Sequence, residues 1–219
     1  MTKIKTLLST QIVAPDPPQW LIDFIDKVDI DHYGGTYEKA EHLANDIGFQ
    51  ILDEKKRNFE NYNNRVLLTK GQKILSGHNH YNLNEDGFHW SKKNISSQAI
   101  DLRCVFSTPN KSIVGPHTDQ SRKWTLIYLI RDGGPNHRTV FYQEKEVNDI
   151  IRDPGYFITD YNRIEEIGSV KLSLNRWTLI NASVLHSIEN IPESRCSIQV
   201  SFNDFPSDLI FKNSIYYEQ

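Results

Sequence analysis

Short alternating segments dominate the second half of this chain, and no helical pattern separates them. Apolar side chains recur at every second position, as expected for strands that bury one face. Turn residues such as Asn175-Arg176 and Ala182-Ser183 join them tightly. The segments are 99–106, 124–130, 139–142, 167–174, 177–181, 184–189 and 195–202. This succession favours an antiparallel sandwich or barrel.

Two helical patterns precede the β-rich region. Asp16-Pro17-Pro18 is followed by Trp20 and Phe24 on one stripe, which predicts an N-capped helix with proline in its first turn. A second helix is predicted over residues 37–47, and the polar segment 53–64 is expected to be a solvated surface. The predicted fold class is therefore α+β and mainly β, with the β structure packed against N-terminal helices.

A chain of 219 residues is expected to form a single domain. Its predicted parts are a helical and loop region over 1–97, a β core over 98–205 and a C-terminal tail over 206–219. The longest gap between predicted strands, residues 144–166, is interpreted as an insertion.

The formal net charge of -3 provides no cationic field for a phosphate backbone, so nucleic acid is not an expected partner. No apolar run reaches the length of a membrane span, and the N-terminus is too quickly polar for a secretory signal. A soluble, cytoplasmic protein is expected. Cys104 and Cys196 lie in strand-like runs and are interpreted as reduced core thiols.

The stretch Pro116-His117-Thr118-Asp119-Gln120 carries the strongest chemical signal. In an extended backbone, His117 and Asp119 point to the same side. A later strand offers His186 as a third ligand. Two imidazole nitrogens and one carboxylate oxygen with open positions opposite are the ligand set of non-haem Fe(II) oxygenases.

Other polar residues have plainer interpretations. His78, His80 and His89 are surrounded by Gly, Asn and Asp, which favour exposed loops, although the pair His78 and His80 could bind a metal if it lay on a strand. His137 follows a turn and is also expected to be exposed. Arg122, Lys123 and Arg138 would suit an acidic substrate as a cationic rim, but a solvated face is the preferred interpretation.

The order His117-x-Asp119, His186 and Arg195-x-Ser197 resembles the Fe(II)- and 2-oxoglutarate-dependent dioxygenase superfamily. The resemblance covers about residues 99–202 and implies a double-stranded β-helix, or jelly roll. Gly133-Gly134 followed by 139–141 is similar to a segment of the prolyl-hydroxylase-like branch, with a wider spacing here.

The resemblance also implies a binding site for the cosubstrate. A buried dicarboxylate needs a cation at its far end, and Arg195 can pair with it through two parallel hydrogen bonds. Ser197 lies two positions further along the strand and can donate a third. Either Tyr128 or Thr125 is a candidate for another donor, but these two residues lie on opposite faces of a regular strand.

The implied activity is oxidative decarboxylation of 2-oxoglutarate by O2, coupled to C–H oxidation of a substrate, with hydroxylation as the usual outcome. Ascorbate is a candidate reductant. Peptidyl residues, amino acids, small metabolites and nucleobases stay open as substrates, and so does the oligomeric state. The alternatives are an inactive jelly-roll scaffold or binding protein and a zinc hydrolase using the same triad.

Overall fold

A computed structural model describes residues 5–27, 49–51, 76–83, 85–112, 114–119, 122–146 and 161–218 of the chain. Within these ranges, the strands form an eight-stranded and a four-stranded sheet, and neighbouring strands are antiparallel.

In chain order the strands are β1 (Lys5–Val13), β2 (Phe49–Ile51), β3 (Ser76–Leu83), β4 (Asp101–Ser112), β5 (Val114–His117), β6 (Trp124–Asp132), β7 (Arg138–Glu144), β8 (Ile164–Val170), β9 (Trp177–Asn181), β10 (Leu185–Glu189), β11 (Arg195–Phe202) and β12 (Ile210–Glu218). The larger sheet is ordered β12-β1-β9-β6-β11-β4-β3-β2 and the smaller sheet β5-β10-β7-β8.

β11 lies between β6 and β4, and its two faces differ in chemistry. All eight of its residues are buried. One face presents apolar side chains to the helices, namely Cys196, Ile198, Val200 and Phe202. The other face carries a polar row, formed by Arg195, Ser197, Gln199 and Ser201. Burying a polar row on a central strand is costly unless its groups find partners, so this face indicates a site between the sheets.

An apolar cluster holds the two sheets together beside the polar row. Ile127 and Leu129 from β6 pack with Phe141 from β7, which belongs to the smaller sheet. Leu8 from β1 joins the same cluster and is fully buried. Each fully buried side chain of this size contributes about 1.5–3 kcal/mol. Two packed antiparallel sheets with helices on one outer face confirm the predicted mainly β jelly-roll class.

The helices cover the outer face of the larger sheet. Helix α1 (Gln19–Lys27) confirms the existence of the predicted helix, and its Leu21 is fully buried against that sheet. It begins after Pro17 and Pro18, so the prediction of proline in its first turn was wrong. Helix α2 (Glu85–Asn94) includes His89, and β3 includes His78 and His80, so the loop prediction for these histidines was wrong. The helix predicted over 37–47 and the segment 53–64 lie outside the described residues.

The two ends of the chain differ from the sequence expectation. β1 lies in the part expected to contain only helices and loops, and β12 occupies the predicted tail. They pair with each other, and β1 also pairs with β9, so both ends extend the larger sheet. The predicted insertion ends earlier than expected, because a 3-10 turn (Tyr161–Arg163) leads directly into β8.

Among the helices that the structure describes, none combines the length and apolar character needed to cross a membrane.

Candidate metal centre

His117 and His186 are brought together by strand pairing. His117 ends β5, His186 lies in β10, and the two residues are directly opposite each other in the antiparallel register. Their ring centroids are 4.5 Å apart. Asp119 follows two residues after the strand, where its backbone N–H donates to the Ala182 carbonyl at 3.0 Å. The sheet therefore holds all three predicted ligands at one end of two neighbouring strands.

The candidate ligand atoms of His117, Asp119 and His186 all lie within 4.8 Å of one another. His117 is 9% exposed and His186 is 5% exposed. Protein nitrogen and oxygen ligands bind a divalent transition metal at about 2.0–2.2 Å. A single ion between the three side chains is therefore compatible with their separation after small rotations.

The surroundings of His186 favour the neutral form that a metal requires. Burial lowers the pKa of His186 to about 4, and the nearby His117 acts in the same direction. Its Nδ1 lies 2.9 Å from the Val184 carbonyl oxygen, so Nδ1–H donates and Nε2 keeps its lone pair. Orienting a histidine ligand through its second nitrogen in this way is usual in metal sites.

Asp119 is held in its ionised form. Burial raises the pKa of Asp119, but the Arg122 cation and a hydrogen bond with His117 outweigh that effect and hold the pKa well below its usual range. Its Oδ1 lies 3.6 Å from His117 Nε2. Two imidazoles and one carboxylate match the donor set of non-haem Fe(II), so the residues fit the implied metal.

Arg122 was not identified as a site residue from the sequence. Its side chain is only 9% exposed, and its Nε donates to Asp119 Oδ2 at 2.5 Å. The solvated face predicted for Arg122 was therefore wrong. The available signal was its position three residues after a candidate acidic ligand, which brings a cation within reach across a turn.

Arg195 is a buried cation at the start of β11. It is 1% exposed, and Nε, NH1 and NH2 have no hydrogen-bond partner in the described part of the chain. Burial lowers the pKa of Arg195 to about 10, so the guanidinium stays charged at neutral pH. An unpaired buried cation costs several kcal/mol. Such a group is expected where an anionic ligand completes the site.

Ser197 lies on the same face of β11 as Arg195, as predicted. The strand keeps a regular register with β4 throughout, so side chains two positions apart share a face. Ser197 is fully buried, and its hydroxyl accepts from Gln199 Nε2 at 3.3 Å.

Thr125 and Tyr128 lie on opposite faces of β6. Tyr128 faces the helices, where its ring lies 5.0 Å from that of Trp177 and its hydroxyl donates to Asp16 at 3.3 Å. The interpretation of Tyr128 as a cosubstrate donor is therefore wrong. Thr125 faces the site, with its hydroxyl 3.5 Å from Asp119 Oδ2.

Thr125 is nevertheless far from Arg195. It pairs with Ser201, six positions from Arg195 along β11, which corresponds to about 20 Å. A donor at Thr125 cannot reach the carboxylate that Arg195 would hold. Its position assigns it to the metal end of the polar row.

His137 is 2% exposed, so the prediction of an exposed turn histidine was wrong. Its Nδ1 and Nε2 lie 2.9 Å and 3.1 Å from the carbonyl oxygens of Gly134 and Leu172. His137 thereby connects the turn after β6 with the segment after β8. Cys104 and Cys196 are buried free thiols, as expected.

The fold and the cluster together define a jelly-roll protein with a candidate centre of two histidines and one carboxylate. No protein-family model and no curated protein matches the sequence. Among solved structures, the chain resembles YcfD from Escherichia coli, a ribosomal oxygenase, with 16% identity over 59% of this chain and 34% of that chain, at a TM-score of 0.41. The chain thus spans about a third of the length of YcfD.

Two further likenesses cover more of the partner protein. SnoN, a non-heme alpha ketoglutarate dependent epimerase from nogalamycin biosynthesis, is 12% identical over 84% of this chain and 85% of that chain, at a TM-score of 0.43. An oxidoreductase of the 2OG-Fe(II) oxygenase family from Burkholderia pseudomallei is 8% identical over 82% and 93%, at a TM-score of 0.34.

Proposed function

We propose that this chain is an Fe(II)- and 2-oxoglutarate-dependent oxygenase that hydroxylates its substrate. The observation that carries the proposal is the buried guanidinium of Arg195, which has no hydrogen-bond partner among the described residues and lies on the same polar row that leads to the His-Asp-His cluster. A metal site alone would suit many reactions. A metal site with a dedicated anion receptor beside it suits a cosubstrate that binds the metal at one end and carries a free carboxylate at the other.

The spacing along β11 supports this arrangement. Gln199, which bonds to Arg122 beside Asp119, lies four positions from Arg195, and four residues of strand span about 13 Å. Arg195 and the residues that contact Arg122 therefore lie on the same face of β11, at different positions along the strand. The planar fork of arginine pairs with a carboxylate through two hydrogen bonds, and Ser197 is placed to add a third.

The roles of the side chains follow from their chemistry. Nε2 of His186, an imidazole nitrogen of His117 and Oδ1 of Asp119 would hold the metal on one side and leave the opposite positions free. When bound, Fe(II) with 2-oxoglutarate and O2 supplies the oxidation: the 2-oxo acid becomes succinate and carbon dioxide, and a substrate C–H bond becomes C–OH. Arg195 fixes the tail of the cosubstrate, so its reactive end is presented in one orientation.

Exclusion of water is the second contribution of the chain. His117, Thr118 and His186 are each less than 10% exposed, and Phe141 packs beside His186 with ring centroids 6.5 Å apart. A dry site strengthens the attraction between Arg195 and a carboxylate, because the effective dielectric constant is low. It also protects a reactive centre from side reactions.

The first experiment measures 2-oxoglutarate binding to metal-stripped protein reloaded with Co²⁺, which does not support turnover. We expect binding in the wild type, strong loss in Arg195→Ala and no change in Arg176→Ala, which removes an exposed arginine. Absence of 2-oxoglutarate binding to the wild type would refute the proposal and leave the zinc hydrolase as the alternative.

The second experiment measures turnover. Succinate release is followed with Fe²⁺, ascorbate and 2-oxoglutarate, with a panel of peptides, amino acids and small metabolites as substrates. We expect release that depends on iron and rises with one class of substrate. Tight 2-oxoglutarate binding without succinate release on the whole panel would favour the scaffold instead.

A further inference from the structure

Arg122 connects the candidate metal ligand Asp119 to the polar row of β11. Beyond its bond to Asp119, its NH1 donates to Ser201 Oγ at 3.3 Å and its NH2 donates to Gln199 Oε1 at 3.4 Å. All three nitrogens of the guanidinium therefore have partners on the site face. The side chain is held from three directions, which fixes its plane.

This arrangement gives the two oxygens of Asp119 different surroundings. Oδ2 accepts from Arg122 Nε at 2.5 Å and lies 3.5 Å from the Thr125 hydroxyl. Oδ1 points the other way, toward His117 Nε2 at 3.6 Å. Arg122 and Thr125 therefore occupy one oxygen and leave the other for the metal. A carboxylate that binds through one oxygen leaves more positions on the ion for small molecules than one that binds through two.

The same contacts continue toward the predicted anion receptor. Gln199 accepts from Arg122 with its oxygen and donates to Ser197 Oγ at 3.3 Å with its nitrogen. Because an amide has one donor end and one acceptor end, the two bonds define which way round Gln199 lies. The orientation of Asp119 is thus linked through Arg122 and Gln199 to Ser197, beside Arg195.

We propose that Arg122 is a positioning residue, an inference that rests on the proposed function. Arg122 turns Asp119 so that only Oδ1 binds the metal, and Gln199 holds Arg122 in that orientation. This role differs from that of a nearby charge that only changes the electrostatic field at the metal site. By Coulomb's law alone, a cation beside a metal site repels the ion, so removing it should tighten metal binding. A positioning residue predicts the opposite sign.

The test is a Co²⁺ titration of metal-stripped protein, followed by the visible absorption of the bound ion, without 2-oxoglutarate. We compare the wild type with Arg122→Gln, Arg122→Lys and the control Arg176→Ala. Arg122→Gln should weaken Co²⁺ binding by about 10–100-fold, the usual effect of removing a group that orients a metal ligand, and should change the absorption spectrum. Arg122→Lys, which keeps the charge on a single donor nitrogen, should lie between it and the wild type.

The proposal is overturned if Arg122→Gln binds Co²⁺ as tightly as the wild type, or more tightly. Unfolding of the metal-free variants is measured in parallel, because a merely structural role would lower their stability and leave the spectrum of the bound ion unchanged. If Arg122→Gln does not fold, Gln199→Leu replaces it. That variant should weaken Co²⁺ binding by about 10-fold, and wild-type affinity would contradict the proposal. Failure of the wild type to bind Co²⁺ would instead refute the proposed function.

Discussion

His117 and His186 are direct cross-strand partners on β5 and β10. In an antiparallel sheet, side chains directly opposite each other have Cβ atoms about 4.5–5.5 Å apart, whatever their separation in sequence. The pairing of two strands is therefore sufficient to bring two imidazoles together. Asp119 needs only two further residues of chain to reach the same point.

Removing a ligand of the candidate triad should abolish metal binding. We expect His186→Ala to weaken Co²⁺ binding by more than the roughly 10–100-fold typical of changes outside the ligand shell. Titration of the metal-stripped protein measures this, and His89→Ala, at an exposed position of α2, is the matched control. Equal affinity in both variants would remove His186 from the site.

Arg195→Met should stabilise the ligand-free protein and weaken cosubstrate binding. Burial lowers the pKa of Arg195 to about 10, which corresponds to a cost on the order of 3 kcal/mol for keeping the charge at pH 7. The variant should raise the free energy of unfolding by about 1–3 kcal/mol. It should weaken 2-oxoglutarate binding by about 100-fold, because one partner of a buried charge pair is lost.

Urea denaturation and calorimetric titration measure the two effects of Arg195→Met. The stability difference from the wild type should shrink above pH 10, since the depressed pKa of a base disfavours the folded state only while the group is charged. A loss of stability in the variant at pH 7 would mean that Arg195 has a partner in the free protein.

Gly133→Ala should destabilise the turn that lies beneath Arg195. Gly133 has φ of 85°, and an added Cβ would lie 2.1 Å from Ile191 Cγ2 and 3.1 Å from Arg195 Cβ. A left-handed backbone and overpacking together should cost about 2–4 kcal/mol in the free energy of unfolding. Gly168→Ala is the comparison, because its added Cβ meets only the end of the Leu8 side chain at 2.9 Å. Similar small losses in both variants would contradict this explanation.

Tyr128 should make stability fall at alkaline pH. Burial, and then the nearby Asp16 carboxylate, raise the pKa of Tyr128 to about 12. The unfolded chain loses the phenolic proton near pH 10 and the folded chain does not, so the contribution of Tyr128 is present below pH 10 and is lost as pH rises toward 12. Tyr128→Phe should flatten the decline in urea stability between pH 9.5 and about 11.5. An unchanged slope would exclude Tyr128 as its source.

Local pattern was sufficient for elements whose own side chains determine their conformation. The alternation in 195–202 predicted β11, and it correctly placed Ser197 on the same face as Arg195. α1 was predicted from its apolar stripe, whereas the predicted cap Asp16 accepts a hydrogen bond from Tyr128. In these cases the neighbouring residues alone show which face of a strand is buried or which spacing fits a helix.

Elements that depend on distant partners were missed. β12 alternates weakly and is mostly exposed, and it becomes a strand because β1 offers unpaired backbone groups beside it. β3 contains Gly, Asn and His, which favour a turn, yet it pairs with β4 along its length. Overriding the local preference for a turn costs less free energy than leaving the backbone groups at the edge of a large sheet unpaired.

The sequence by itself determined the chemistry that is available: a His-x-Asp pair, a later histidine and an arginine nine residues beyond it, on strands whose faces follow from alternation. Only the tertiary structure decided which polar groups meet. It buried Arg122 against Asp119, turned Tyr128 toward Asp16 and left Arg195 without a partner among the described residues. The physical reason is that burial and pairing of a charge depend on side chains from other strands, and their positions are set by sheet register, which local pattern does not encode.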